Sequence, residues 1–301
     1  MTGTASSRHS APVRSLLYVP GDREGWVAKA SRSGADAIVI DLEDAVARSR
    51  KQEARDIARA ELRSADPAGP QLWVRVDAEA VDQDLEAVTW SALHTVLVPK
   101  AEPALLRTVD ERLSALEAER GLPSGGIGIA ALLETAVGLE ELTTVARSPR
   151  VRRLALGEAD LAAELGLVPG PEREELAPIR SRVVVASAAA GLERPIGPVH
   201  TVVDDAAGLL RTCRQQYRQG FRGRTAIHPS QVIVINAEYL PAPEEVASAR
   251  RLLASFDRAE AAGVSAFSGE DGSLVDPATI RRAREIVAAA DLDTPEPGAP
   301  R

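Results

Sequence analysis

Cysteine is almost missing from this chain. Cys213 is the only one, which excludes an internal disulfide and any zinc cluster built on several thiolates, and fits a reducing cytoplasm. No stretch reaches 18 consecutive apolar residues, and the N-terminal MTGTASSRHSAPVR lacks the apolar segment of a secretory signal, so neither membrane insertion nor export is expected. Positive charge is in deficit, with 36 Lys and Arg against 44 Asp and Glu. The net field therefore repels nucleic acid and anionic membrane, and an anionic ligand needs a local basic site. A GxGxxG run is also missing after PGDREG at Pro20, which leaves dinucleotide binding unsupported.

What is present is a repeated unit. Short runs rich in Val, Ile and Leu alternate with longer helical patterns: SLLYVP (15–20), AIVIDLED (37–44), LWVRV (72–76), TVLVPK (95–100), IGIAALLE (127–134), RLALGEAD (153–160), PIGPVH (195–200) and TAIHP (225–229). Most are continuously apolar, as strands covered on both faces must be. Eight such units predict a (β/α)8 TIM barrel over 13–235. From Asn236 the pattern becomes a long helix closed by Gly263, a hairpin or extended turn around Gly269 and Gly272, and a last helix with Pro277 in its first turn. Residues 236–291 thus read as a C-terminal helical arm or lid. Residues 1–12 and 292–301 read as loose tails.

The polar residues collect where the apolar runs stop. Asp41 and Glu43 end the second run, Arg75 and Asp77 the third, Lys100 the fourth, Glu134 the fifth, Asp160 the sixth and His228 the eighth. In a TIM barrel these ends form the active-site mouth. Carboxylates converging there repel one another unless a cation neutralises them. Glu134 with Asp160 suffices for Mg²⁺, which takes one or two carboxylates plus water and substrate oxygens, and neither has His or Cys at a zinc-ligand spacing. The competing reading is that each acid caps the helix that follows it. Asp41 and Glu43, two apart, are expected around the metal's waters, or else in ion pairs with Lys100 or Lys51. Arg14 and Arg23 flank the first strand's exit and are candidates for the oxygens of an anionic ligand, against the ordinary solvated role of arginine.

These segments carry a resemblance. RSLLYVPGDRE, DAIVIDLEDAV with Lys51 and Arg55 beyond it, LWVRV, TVLVPKAE, ALLETAVGL, LALGEADLAAELG, AIHPSQV and DGSLVDPATIRRAREIV together resemble the citrate lyase beta-subunit family of the HpcH/HpaI aldolase superfamily. They run in the family's order from about residue 14 to 290. The resemblance implies a Mg²⁺-dependent carbon–carbon lyase acting on a 3-hydroxy-acyl-CoA thioester, with a CoA ester and a 2-oxo acid as its partners. It implies Glu134 and Asp160 as metal ligands, Glu134 also touching substrate, and Arg75 as the catalytic and substrate-binding arginine. Asp276 in the LVDP segment is implied as a catalytic acid supplied by a neighbouring subunit of a homo-oligomer, a trimer or hexamer; the alternative is that Asp276 caps its own helix. Asp77 stands where relatives often have Asn, and Arg224 where many have Lys. A subunit working on an acyl-carrier thioester and a non-catalytic barrel scaffold are the rival readings.

Overall fold

The computed structural model describes residues 13–261, 267–268 and 274–291. The two tails, and residues 269–273 where the turn was expected, lie outside that set. Eight parallel strands close into a barrel in chain order: β1 (Ser15–Pro20), β2 (Ala37–Asp41), β3 (Gln71–Arg75), β4 (Leu93–Val98), β5 (Gly128–Leu133), β6 (Val151–Leu156), β7 (Ile196–Gly197) and β8 (Gly223–Ala226). The ring closes through the pairing of Ser15 with Arg224 and Leu17 with Ala226. All eight apolar runs become strands, and the fold is a TIM barrel.

Alternation along each strand sorts its side chains into two layers. Leu16, Ala37, Val39, Trp73, Leu97, Ala130, Leu132 and Ala155 pack inside the barrel with Tyr18 against them. Ile38, Ile40, Val74, Val96, Val98, Ile129, Ala131 and Leu133 face outward into a larger core under the helices. The helices meet that core at their own period. In Lys51–Arg63 the buried set is Ala54, Arg55, Ala58 and Leu62, one stripe at i, i+4 and i+8. The helix Pro103–Glu119 starts on its proline and ends at Gly121, whose φ of +64° is the left-handed conformation glycine adopts without a Cβ clash.

Several strands stop earlier than their apolar runs suggest. The Asp41 carboxylate accepts the N–H groups of Glu43 (2.9 Å) and Ala45 (3.2 Å), which turns the chain out of β2. Gly157 ends β6, and the helix Glu158–Glu164 starts at once, so Asp160 sits in a first helical turn rather than on a strand. β7 is cut short at Pro198, which has no N–H for the ladder.

Val13–Tyr239 form one compact unit. It runs past 235 because the helix Pro229–Glu238 packs beside Ala206–Gln219 and β1, and Asn236 donates to the Gly34 carbonyl at 2.8 Å. The second unit begins at Leu240. Its helices Pro243–Ala261 and Pro277–Asp291 pack against each other, with Arg250 and Asp291 paired at 2.6 Å. Its short strands β9 (Phe267–Ser268) and β10 (Leu274–Val275) pair antiparallel. Among the described residues no helix is long and apolar enough to cross a membrane.

Candidate active site

The inward register of the barrel interior runs straight into the mouth. Two residues beyond Val39 comes Asp41, two beyond Trp73 comes Arg75, and two beyond Leu132 comes Glu134. A pleat that points apolar side chains into the barrel therefore delivers these three polar ones to its C-terminal opening. They line a cavity of about 510 Å³ together with Tyr18, Asp160 and Arg173.

Arg75 is gripped by carboxylates. Its Nε and Nη2 donate to the two oxygens of Asp41 at 2.8 and 2.5 Å, and its Nη1 lies 2.9 Å from Glu43 and 3.1 Å from Asp44. The guanidinium stacks over the Tyr18 ring, 5.2 Å from its centroid. Burial works against this charge, but the Asp41 hydrogen bonds and surrounding acids outweigh it and hold the Arg75 pKa above its ordinary value. Arg75 is a fixed, permanent cation in a planar fork. Glu43 also accepts from Lys100 Nζ at 3.1 Å, one of the two ion-pair partners expected for it. Lys51 instead donates to the Leu42 and Glu43 carbonyls and pairs with Asp77 at 2.9 Å.

Glu134 occupies the opposite condition. It is 4% exposed, and its Oε1 accepts the backbone N–H of Lys100 at 2.9 Å. Lys100 has φ of +48°, a strained conformation for a residue with a side chain. That turn lets its N–H serve Glu134 while its ammonium serves Glu43. Burial, and then the nearby Glu43 and Asp160 carboxylates against the Lys100 N–H bond, push the Glu134 pKa up to about 7. An acid held this way gains from a cation.

Neither acid caps a helix. The cap of Ala136–Glu140 is Thr135, accepting from the Gly138 N–H, and Glu158–Glu164 starts at Gly157 with no side-chain cap. Among the described residues no group of three or more His, Cys, Asp and Glu side chains is placed to hold a metal ion. A cation here would take two carboxylates and complete its shell with water and substrate oxygens, a donor set suited to Mg²⁺ and poor for zinc. Gly157 makes room for the Glu134 side chain. A methyl group there would stand 2.7 Å from both Cβ and Oε2 of Glu134. Gly157→Ala is therefore expected to displace that carboxylate and weaken Mg²⁺ binding about tenfold or more, measured by calorimetric titration.

Other sequence candidates fall elsewhere. Arg14 precedes β1 and so lies at the N-terminal rim, opposite the mouth. Its Nε and Nη2 each meet Asp36 at 2.9 Å, which corrects its assignment to substrate. Arg23 is more than half exposed and closest to Asp22 at 3.6 Å. Asp276 accepts the N–H and hydroxyl of Thr279, both at 2.8 Å, and so caps the last helix. His228 caps Pro229–Glu238 by accepting from the Ser230 N–H. Tyr18, Asp44 and the trio Glu158, Arg173 and Arg180 were not anticipated. Glu158 had a signal, standing two residues before Asp160 in GEAD.

The fold and the mouth define a class: a TIM barrel with a buried Glu134 and a solvent-facing Asp160 suited together to a divalent cation, and an arginine held across from them. The model of the HpcH/HpaI aldolase/citrate lyase family matches residues 14–229, and the chain belongs to that family. It is an enzyme, a lyase of the CoA-ester type. A (3S)-malyl-CoA thioesterase of Cereibacter sphaeroides is 35% identical over 283 residues, covering 93% of this chain and 95% of the relative. The mitochondrial citramalyl-CoA lyase of Homo sapiens is 30% identical over 305 residues, covering 96% and 89%. A crystal structure of the CitE protein of Mycobacterium tuberculosis with magnesium, acetoacetate and coenzyme A superposes with a TM-score of 0.74 at 29% identity, covering 94% of this chain and 99% of that one.

Proposed function

We propose that this protein cleaves, or forms, a 3-hydroxy-acyl-CoA thioester such as citryl-, malyl- or citramalyl-CoA, giving a 2-oxo acid and an acyl-CoA, with Mg²⁺ held by Glu134 and Asp160. The observation that carries this reading is Glu134 itself, buried beside Asp160 with its pKa raised to about 7 and no helix to cap. When bound, Mg²⁺ supplies polarisation of the hydroxyl or oxo oxygen and the adjacent carboxylate of the acid half.

In cleavage the 3-hydroxyl loses its proton and the bond between carbons 2 and 3 breaks. The bonding electrons enter the thioester as an enolate, the hydroxyl carbon leaves as the 2-oxo group, and the enolate carbon takes up a proton. Arg75, pre-oriented by Asp41 and Tyr18, binds the oxygen on which negative charge grows. Glu43 and Lys100 fix the neighbourhood of Arg75 and Glu134. Asp276 is proposed as the group that exchanges the proton at the enolate carbon, reaching the mouth of a neighbouring subunit in a homotrimer or hexamer. Support for it is its place in the LVDP segment of a chain that belongs to this family. The compartment is proposed to be the cytoplasm, where a single buried thiol such as Cys213 stays reduced.

Two experiments test these points. A screen of citryl-, malyl-, citramalyl- and hydroxymethylglutaryl-type CoA thioesters with Mg²⁺ should release a 2-oxo acid and an acyl-CoA from at least one. Release of free CoA and intact hydroxy acid would favour thioester hydrolysis, the reading suggested by the 35% identical thioesterase. For Asp276, the Asp276→Ala and Glu134→Ala chains, each inactive alone, should regain partial activity after subunit exchange. No recovery excludes the site shared between subunits, and an active Asp276→Ala protein removes that residue from the mechanism.

A further inference from the structure

The mouth has a second, basic pole that the metal and Arg75 do not use. Glu158, two residues before Asp160, is buried, and its Oε1 accepts from Arg180 Nε at 2.5 Å, both side chains being essentially inaccessible. Arg173 reaches the other oxygen of the same carboxylate, its Nε 3.2 Å from Oε2. One carboxylate thus faces two guanidinium groups, which leaves one positive charge uncompensated within the trio. Arg180, fully enclosed, is the partner that neutralises Glu158; Arg173, 29% exposed, carries the surplus and lines the cavity.

The backbone is shaped to hold Arg173 there. Its φ of +52° is left-handed, unusual for a residue with a side chain, and it precedes the short turn Glu174–Leu176. The Nε of Arg173, the Nη2 of Arg180 and the Oε2 of Glu158 are all buried without a hydrogen-bond partner among the described residues. Arg173 Nε and Glu158 Oε2 are held to each other by ion pairing without a hydrogen bond, an arrangement that costs stability unless it serves something else. The two carboxylates of this helical turn face different ways. Asp160 is exposed and lines the cavity, while Glu158 turns inward to anchor the cation.

We infer that Arg173 is a specificity-determining residue that receives a second carboxylate on the 2-oxo acid half, so that the site selects a 2-oxo dicarboxylic acid over the corresponding monocarboxylic acid. The inference rests on the proposed lyase reading for its kinetic form, but not for its binding form. A diacid places one carboxylate at the Glu134 and Asp160 pole through the cation and the other on the guanidinium fork of Arg173. A monoacid leaves that fork without its anion.

The test pairs acids that differ by one carboxylate. With Mg²⁺ present, calorimetric titration compares malate with lactate, and condensation with acetyl-CoA compares oxaloacetate with pyruvate, in wild-type protein, Arg173→Gln and Arg173→Lys. Wild type should favour the diacid in both comparisons. In Arg173→Gln the diacid-to-monoacid ratio of affinities should fall about 30-fold, and the ratio of kcat/KM should fall with it through KM. Arg173→Lys should recover most of the ratio, which a merely structural arginine would not do. A wild-type protein with no preference for malate, or an Arg173→Gln protein in which both acids weaken equally, overturns the inference. If wild type condenses neither acid yet its preference for malate depends on Arg173, the lyase reading fails and the inference stands.

Discussion

Glu134→Gln is expected to lower kcat/KM by about 10²- to 10³-fold, because it removes the charge that holds the cation at the reacting oxygens. Asp160→Asn should act in the same direction. The barrel should not unfold in either case, since Gln still accepts the Lys100 N–H that Glu134 accepts now. Unfolding curves in urea and direct Mg²⁺ titration separate the two effects. A pH signature accompanies this. The pKa of Glu134 lies at about 7, above its ordinary value near 4.5, so the folded metal-free protein binds a proton that the unfolded chain releases. That contribution to stability is complete below the ordinary value and is lost as pH rises through 7. The melting temperature of chelated protein should therefore fall between pH 5 and 8, and Glu134→Gln should flatten the slope. Mg²⁺ competes with the same proton, so its apparent affinity should drop about tenfold per pH unit below 7. Full activity of Glu134→Gln, or in EDTA, would reject the assignment.

Arg75→Lys is expected to lower kcat by about 10²-fold while leaving Mg²⁺ affinity little changed. Lysine has charge but no planar fork. It cannot meet both oxygens of Asp41, as Nε and Nη2 of Arg75 do, and still present an N–H to the substrate. Its compact ammonium would also lose the stacking over Tyr18. If Arg75→Lys keeps near-normal kcat, Arg75 is a counterion for Asp41, Glu43 and Asp44, and the role assigned to it is wrong. Rapid-quench measurement of a single turnover distinguishes a slowed chemical step from slowed product release.

The barrel was legible because strands buried on both faces must be continuously apolar, and eight such runs separated by amphipathic helices have few other solutions. Asp41, Arg75 and Glu134 were legible for a related reason: each follows an apolar run in the same inward phase. Strand ends were overextended where a side chain, not hydrophobicity, stops the ladder, as Asp41 does by accepting two N–H groups. Arg14 was misplaced by its nearness to the strand alone: it precedes β1, so chain order already puts it at the N-terminal rim, opposite the mouth. The pairing of Glu158 with Arg173 and Arg180 spans the loop and helix after β6, and no local periodicity reports a contact at that separation. Asp276 shows the limit of motif reading, since the same LVDP segment that resembles a catalytic arm also caps its own helix.

The most direct test of the central claim follows the carbon rather than the metal. Citryl-CoA, malyl-CoA and citramalyl-CoA labelled in the acid half are incubated with the protein and Mg²⁺, and products are separated by mass. Cleavage between carbons 2 and 3 predicts label in a 2-oxo acid, one equivalent of acyl-CoA without label, and loss of both on adding EDTA. Label retained in an intact hydroxy acid beside free CoA, or equal turnover in EDTA, would contradict the account.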